Sequence, residues 1–268
     1  MTYGCEYWEA RTLKQIGDVE VIGVDMKTLI GLRHDVDNVY GLRKGLPILI
    51  GIEEKFGIKS TIFVRANILP EKSDKEYIKQ LEDRGWEIGL HLINTINTSE
   101  IPPAKDELQF LRDISLNIQG VTPCGQTIGW KGEVTWKTMD SLGLEYMEGY
   151  GSPNYESKTF VMPTHITFDH AYVKKFGENR GYQLFTQDLD AVLNEKGQAT
   201  VLSHPEWFVR SLGYDSKHKT VIRLSKLIFK LLNKRFMSKV YNQFLTDYSQ
   251  KTRLMRYTDL MKNLMQGA

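Results

Sequence analysis

The stretch Leu29-Ile30-Gly31-Leu32-Arg33-His34-Asp35-Val36-Asp37 decides the fold. Its apolar start reads as a buried strand, and its end carries two carboxylates and an imidazole. Side chains alternate along a strand, so Asp35 and Asp37 share one face while His34 and Val36 take the other. Acids at the end of a strand place the chemistry on the C-terminal edge of a parallel α/β fold, where loops vary without disturbing the core. An Asx turn at Asp37-Asn38 accounts for the second acid equally well on local grounds. The rest of the chain has to decide.

Outward from this strand, a helical stretch closed by glycine and followed at once by an apolar run recurs. It is found at Phe56-Gly57-Ile58, Arg84-Gly85-Trp86, Gln119-Gly120-Val121, Leu142-Gly143-Leu144 and Lys196-Gly197-Gln198. Glycine suits the left-handed position that ends a helix, so each is expected to be a helix-to-strand junction. Strands are expected at Leu29 to His34, Ser60 to Val64, Trp86 to His91, Val121 to Cys124, Leu144 to Met147, Thr159 to Met162 and Ala199 to Ser203. Between them, helices are expected to start near Pro47, at a capping box Ser73-Asp74-Lys75-Glu76, and over Ala104 to Ile118. About seven strands alternating with helices point to a barrel. A chain of 268 residues with 41% hydrophobic content can bury such a core as one domain.

The net charge of +2 is unevenly placed: residues 214–268 hold 12 Lys plus Arg against 3 Asp plus Glu, leaving −7 on residues 1–213. We therefore expect an α/β barrel over 1–213 and a basic, amphipathic helical extension over 214–268, packed on the barrel. Neither an apolar run near Met1 to Gly17 nor a stretch of roughly 18 apolar residues is present, so a cytoplasmic location is expected. Cys5 and Cys124 are too few for a disulfide framework and are read as reduced. Nucleic acid is not an expected partner, because no recognised binding motif accompanies the basic charge.

Two further strands end in histidine, Glu87-Ile88-Gly89-Leu90-His91 and Val201-Leu202-Ser203-His204. Either histidine alone is accounted for by a structural hydrogen bond. Together with Asp35 and Asp37 they supply a metal-binding acid, an imidazole ligand, a base and an acid on one rim, the set needed to activate water and protonate an amine leaving group.

In their order, Asp35-Val36-Asp37, Ser60-Thr61-Ile62-Phe63-Val64, Glu87 to His91 and Leu202-Ser203-His204 resemble the successive motifs of the NodB-homology polysaccharide deacetylases. The run from Leu32 to Asn38, with Gly41 to Pro47, Phe56 to Thr61, Val121 to Cys124, Gly129-Trp130 and Met162-Pro163-Thr164 through Asp169, is similar to the branch that deformylates undecaprenyl-phosphate formamido-arabinose. The resemblance spans about Leu29 to Trp207. It implies a distorted (β/α)7 barrel and a hydrolase that removes an N-formyl or N-acetyl group from an amino sugar, free or lipid-linked. It also implies Asp35 as base, His204 as acid, Asp37 and His91 as ligands of a divalent metal, zinc by expectation, and Asp169 as a further site acid. The resemblance places a second ligand histidine where this chain has Thr95, which leaves Asn94, Thr95 or another rim group such as Asp169 as the third ligand, or a metal bound weakly or not at all. The general deacetylases also carry an arginine in the Thr122-Pro123 region, where this chain has none and which the resemblance to the deformylase branch does not require. A metal-independent amidohydrolase and an inactive glycan- or lipid-binding protein stay open beside the leading reading.

Trp130, Tyr150 and Trp207 are candidates to stack on a sugar ring. His165 and His170, flanking Asp169, read as solvated loop residues. In the basic tail, Leu224, Leu227, Ile228, Leu231 and Leu232 form one helical stripe bordered by Lys226, Lys230, Lys234 and Arg235. That pattern fits a helix lying on the inner face of an anionic membrane, and equally a helix docked on the barrel with solvated lysines. Anionic liposomes are expected to deplete the protein from solution on sedimentation, less so at high salt. Changing Lys226, Lys230, Lys234 and Arg235 to glutamine should abolish the effect; unchanged depletion would assign it elsewhere.

Overall fold

A computed structural model of the chain describes residues 28–125, 128–209 and 236–267. Among these residues nine strands form one sheet: β1 Thr28–Val36, β2 Thr61–Val64, β3 Glu87–Leu92, β4 Gly120–Pro123, β5 Tyr146–Glu148, β6 Phe160–Met162, β7 Ile166–Thr167, β8 Gln198–Ser203 and β9 Thr252–Met255. The order is β6-β5-β4-β3-β2-β1-β8-β7, with every pairing parallel. Helices α1 Leu46–Lys55, α2 Lys72–Asp83, α3 Ala104–Asp113, α4 Glu133–Asp140 and α5 Glu178–Lys196 surround the sheet, followed by α6 Phe236–Tyr248 and α7 Tyr257–Gly267. The sheet curls into a distorted (β/α) barrel that stays open between β6 and β7 among the described residues.

The expected strands are all present. Four of the expected junction glycines, Gly57, Gly85, Gly143 and Gly197, take positive φ. Gly120 does not. It begins β4, and the left-handed turn after α3 falls on Ser115 at φ 63°. Glycine is required at 120 for another reason: the ring of Tyr146 fills the space its Cβ would need. The capping box of α2 also lies earlier than expected, with Glu71 as N-cap and Asp74 accepting the Glu71 N–H at 3.1 Å.

Residues 236–267 do more than pack against the barrel as helix. β9 pairs with Thr28–Gly31 of β1, on the edge that β2 occupies further along at Arg33–Val36, while β8 holds the other edge. Tyr257, Leu260 and Met261 of α7 are buried with Phe63 and Tyr146, so this helix plugs the end of the barrel opposite the C-terminal rim. The plug is pinned by Thr258, whose N–H and hydroxyl both donate to the buried Glu87 carboxylate. The basic stripe between Leu224 and Arg235 lies outside the described residues.

On the outer face of β1, His34 Nε2 contacts Glu53 at 2.8 Å and Nδ1 contacts Ser203 at 2.8 Å. Ser60, Trp86 and Tyr241 donate to the same Glu53 carboxylate at 2.8, 2.8 and 2.9 Å. One buried acid therefore ties α1 to β1, β2, β3 and α6, and its removal would strand several donors in the core. Glu53→Ala is expected to lower the free energy of unfolding by about 3 to 5 kcal/mol in a urea titration; a loss under about 1 kcal/mol would show the network to be dispensable.

Candidate active site

All strands are parallel, so their C-terminal ends meet on one rim. The register sets the side chains by height. Val36, Val64, Leu90, Val121 and Met147 lie in one row across β1 to β5. The next row is therefore Asp37, Arg65, His91, Thr122 and Glu148. In the row below Val36, Asp35 stands beside Phe63 on one side; His34 pairs with Ser203, which brings His204 level with Asp35 on the other.

Asp35 is buried, and Arg33, two residues earlier on the same face, grips it with Nε on Oδ1 at 2.7 Å and Nη2 on Oδ2 at 2.5 Å. The other arm of Arg33 reaches Glu148, which also accepts from Thr122 and Thr164. Burial alone would raise the Asp35 carboxyl; Arg33, then His91, overcome that and hold it below its ordinary value. Each oxygen keeps a free lone pair for a further proton or donor.

Asp37 accepts from Arg65, the residue after β2, and its Oδ1 lies 3.1 Å from His91 Nε2. Burial opposes its charge, but His91 and Arg65 leave it ionised well below the carboxylate range. His91 is buried too, which disfavours its cation, yet Asp35, Asp37 and the adjacent Cys124 thiol raise it to about 10. His204 follows β8 and is held by Asp169, which accepts its backbone N–H and lies 3.1 Å from Nδ1. Against the cost of burial, Asp169 raises His204 to about 9, so it carries a proton at neutral pH.

The expected pairs Asp35 with His204 and Asp37 with His91 are thus brought together. The three candidates for a third ligand are placed differently. The Asn94 amide donates to the carbonyls of Thr98, Ile101 and Pro102, the Thr95 hydroxyl donates to Gly129 at 2.7 Å, and Asp169 serves His204. Among the described residues, the side chain that joins Asp37 and His91 is Cys124, one donor atom from each lying within 4.8 Å of the others. A carboxylate, an imidazole and a thiol are chemically fit to hold a divalent transition ion, and the buried Nδ1 of His91 has no hydrogen-bond partner.

The aromatic candidates separate as well. Tyr150 is 65% exposed and packs edge-on against Trp130, 5.5 Å between centroids. Trp207 is buried, and its Nε1 donates to His170 Nε2 at 2.9 Å, so it braces the support of His204. Nor is His165 merely solvated: its Nδ1 accepts the Thr200 N–H at 3.0 Å, and burial lowers it to about 4, whereas His170 is exposed.

No family model and no curated protein matches the sequence. Solved structures do. A Mycobacterium smegmatis protein assigned to the polysaccharide deacetylases superposes with a TM-score of 0.60 at 14% identity, over 92% of this chain and 93% of its own. A CE4 family pseudoenzyme from Bacillus anthracis gives 0.52 at 15% identity over 87% of this chain and 65% of its own. The peptidoglycan deacetylase PdaC of Bacillus subtilis gives 0.50 at 15% identity over 91% and 95%. The chain has the CE4 deacetylase fold.

Four rim residues were not singled out from the sequence of this CE4-fold chain: Arg33, Arg65, Glu148 and Cys124. Arg33 was legible from alternation, since it shares a face with Asp35 and Asp37. Cys124 ends an expected strand, as His91 and His204 do. Glu148 ends a strand and Arg65 follows one, but naming them needs the register across β1 to β5.

The His204 pair makes a pH prediction. A histidine raised by folding stabilises the protein fully below its ordinary value of 6.5, and that contribution is lost as pH climbs through about 9. Asp169→Asn is expected to bring the His204 midpoint, followed by NMR of its ring protons, down towards 6.5, and the stability gap from wild type should narrow above pH 9. An unmoved midpoint would show that Asp169 does not set it.

Proposed function

We propose that this protein is an amide hydrolase that removes a formyl or acetyl group from the nitrogen of an amino sugar. The observation that carries this is the pairing, on one rim, of an ionised Asp35 fixed by Arg33 with a protonated His204 fixed by Asp169. These are the two proton-transfer partners that amide cleavage needs. Asp35 takes a proton from the attacking water, and His204 gives its proton to the nitrogen as the carbon–nitrogen bond breaks, so that free amine and carboxylate leave. Asp37 and His91 would hold a divalent ion, zinc by preference, which when bound would supply Lewis acidity. Arg33 and Glu148 keep the base from rotating as it works, and Asp169 holds His204 in one orientation.

A cavity of about 30 Å³ beside Arg33, lined also by Thr122, Glu148, Tyr150 and Leu202, has room for one water-sized group. Tyr150, exposed among its lining residues, would cover a sugar ring. Similarity of the motifs from Leu32 to Asp169 to the formamido-arabinose deformylases supports a polyprenyl phosphate-linked sugar as substrate.

The structural neighbours include a pseudoenzyme, and Arg65 already engages Asp37, so a glycan-binding protein without catalysis is the second reading. Release of formate and acetate from N-acylated amino sugars, free and lipid-linked, separates the two. Asp35→Asn and His204→Ala are expected to lower kcat by roughly 100- to 10,000-fold with little change in substrate binding. Wild-type protein that binds these glycans and releases neither acid would establish the second reading.

A further inference from the structure

We infer that Cys124 is the third protein ligand of the metal ion, and that the resulting Asp37–His91–Cys124 site selects a thiophilic ion such as Zn²⁺ or Co²⁺ over Mg²⁺ or Ca²⁺. The inference rests on the reading of the rim as a metal-assisted hydrolase. Cys124 is fully buried immediately beyond β4, and its backbone N–H donates to the Leu92 carbonyl at 2.7 Å. Leu92 follows His91 on β3, so this bond fixes the thiol beside the imidazole. One donor atom from each of Asp37, His91 and Cys124 lies within 4.8 Å of the other two. Zinc–sulfur and zinc–nitrogen bonds of roughly 2.3 and 2.0 Å put tetrahedral ligand atoms about 3 to 4 Å apart, so small side-chain movements close the set on an ion.

Charge gives a second reason for sulfur at this position. The guanidinium of Arg65 is bound to Asp37, with both side chains buried. A neutral third ligand would leave Asp37 to serve both a divalent ion and a guanidinium, since the nearby Asp35 carboxylate is already bound by Arg33. A thiol loses its proton on coordination, and the thiolate supplies the negative charge that offsets Arg65. Neither Asn94 nor Thr95 can supply that charge, and both are engaged with backbone carbonyls. Thiolate also sets the metal class, because hard ions that favour all-oxygen shells bind poorly to sulfur.

Cobalt reports the ligand directly. In full-length protein with Cys5→Ser, which leaves Cys124 as the only thiol, Co²⁺ is expected to produce a near-ultraviolet thiolate-to-cobalt charge-transfer band that saturates at one equivalent. Adding Cys124→Ser should remove that band and weaken Co²⁺ and Zn²⁺ binding at least tenfold by equilibrium dialysis, while excess Mg²⁺ or Ca²⁺ should leave the parent's band intact. Visible cobalt bands without the charge-transfer band would overturn the assignment of Cys124 and leave metal-assisted hydrolysis standing. Dialysis showing no Co²⁺ or Zn²⁺ bound would overturn both. The parent spectrum decides even if the Cys124 variant does not fold.

Discussion

Four carboxylates, Asp35, Asp37, Glu148 and Asp169, are buried at one rim, and a buried charge persists only when a partner and hydrogen bonds replace the water it lost. Each has such a partner: Arg33 forks Asp35 and reaches Glu148, Arg65 and His91 take Asp37, and His204 takes Asp169. These pairs fix the protonation states as well as the positions. Asp35 stays ionised and His204 stays protonated at the same pH, which is the division of labour that a proton-transfer pair requires.

The barrel exists to hold these pairs at the right height. Below the rim, Phe63 and Tyr146 fill the interior edge to face, 6.4 Å between centroids, and Gly89 and Gly120 vacate the space their rings occupy. The far end is closed by Tyr257 and Leu260 of α7. With aromatic rings packed beneath it, the polar row at the top has little freedom to sink or tilt. The C-terminal segment, remote in sequence from Asp35, thus supports the site through the floor of the barrel.

Much of this was legible from local pattern. Alternation along Leu29 to Asp37 placed the acids, glycines marked most helix ends, and strand-terminal histidines marked the rim. What could not be read depends on neighbours distant in sequence. Gly120 looks like a helix stop until Tyr146 is beside it, and Thr252 to Met255 carries no sign that β1 leaves part of an edge free for it. No arginine stands at Thr122-Pro123; the one that grips Asp35 is Arg33, on the same strand. Alternation put Arg33 on the right face; only the register showed Glu148 waiting on its other side.

The central claim is that water adds to an amide carbonyl at this rim. It is tested most directly by following the oxygen. Incubation of wild-type protein and Zn²⁺ with N-formyl and N-acetyl amino sugars, free and polyprenyl phosphate-linked, in ¹⁸O-enriched water should release formate or acetate carrying one labelled oxygen per turnover, with an equal amount of free amine. Recovery of every substrate intact, with no labelled carboxylate and no amine, would contradict the account.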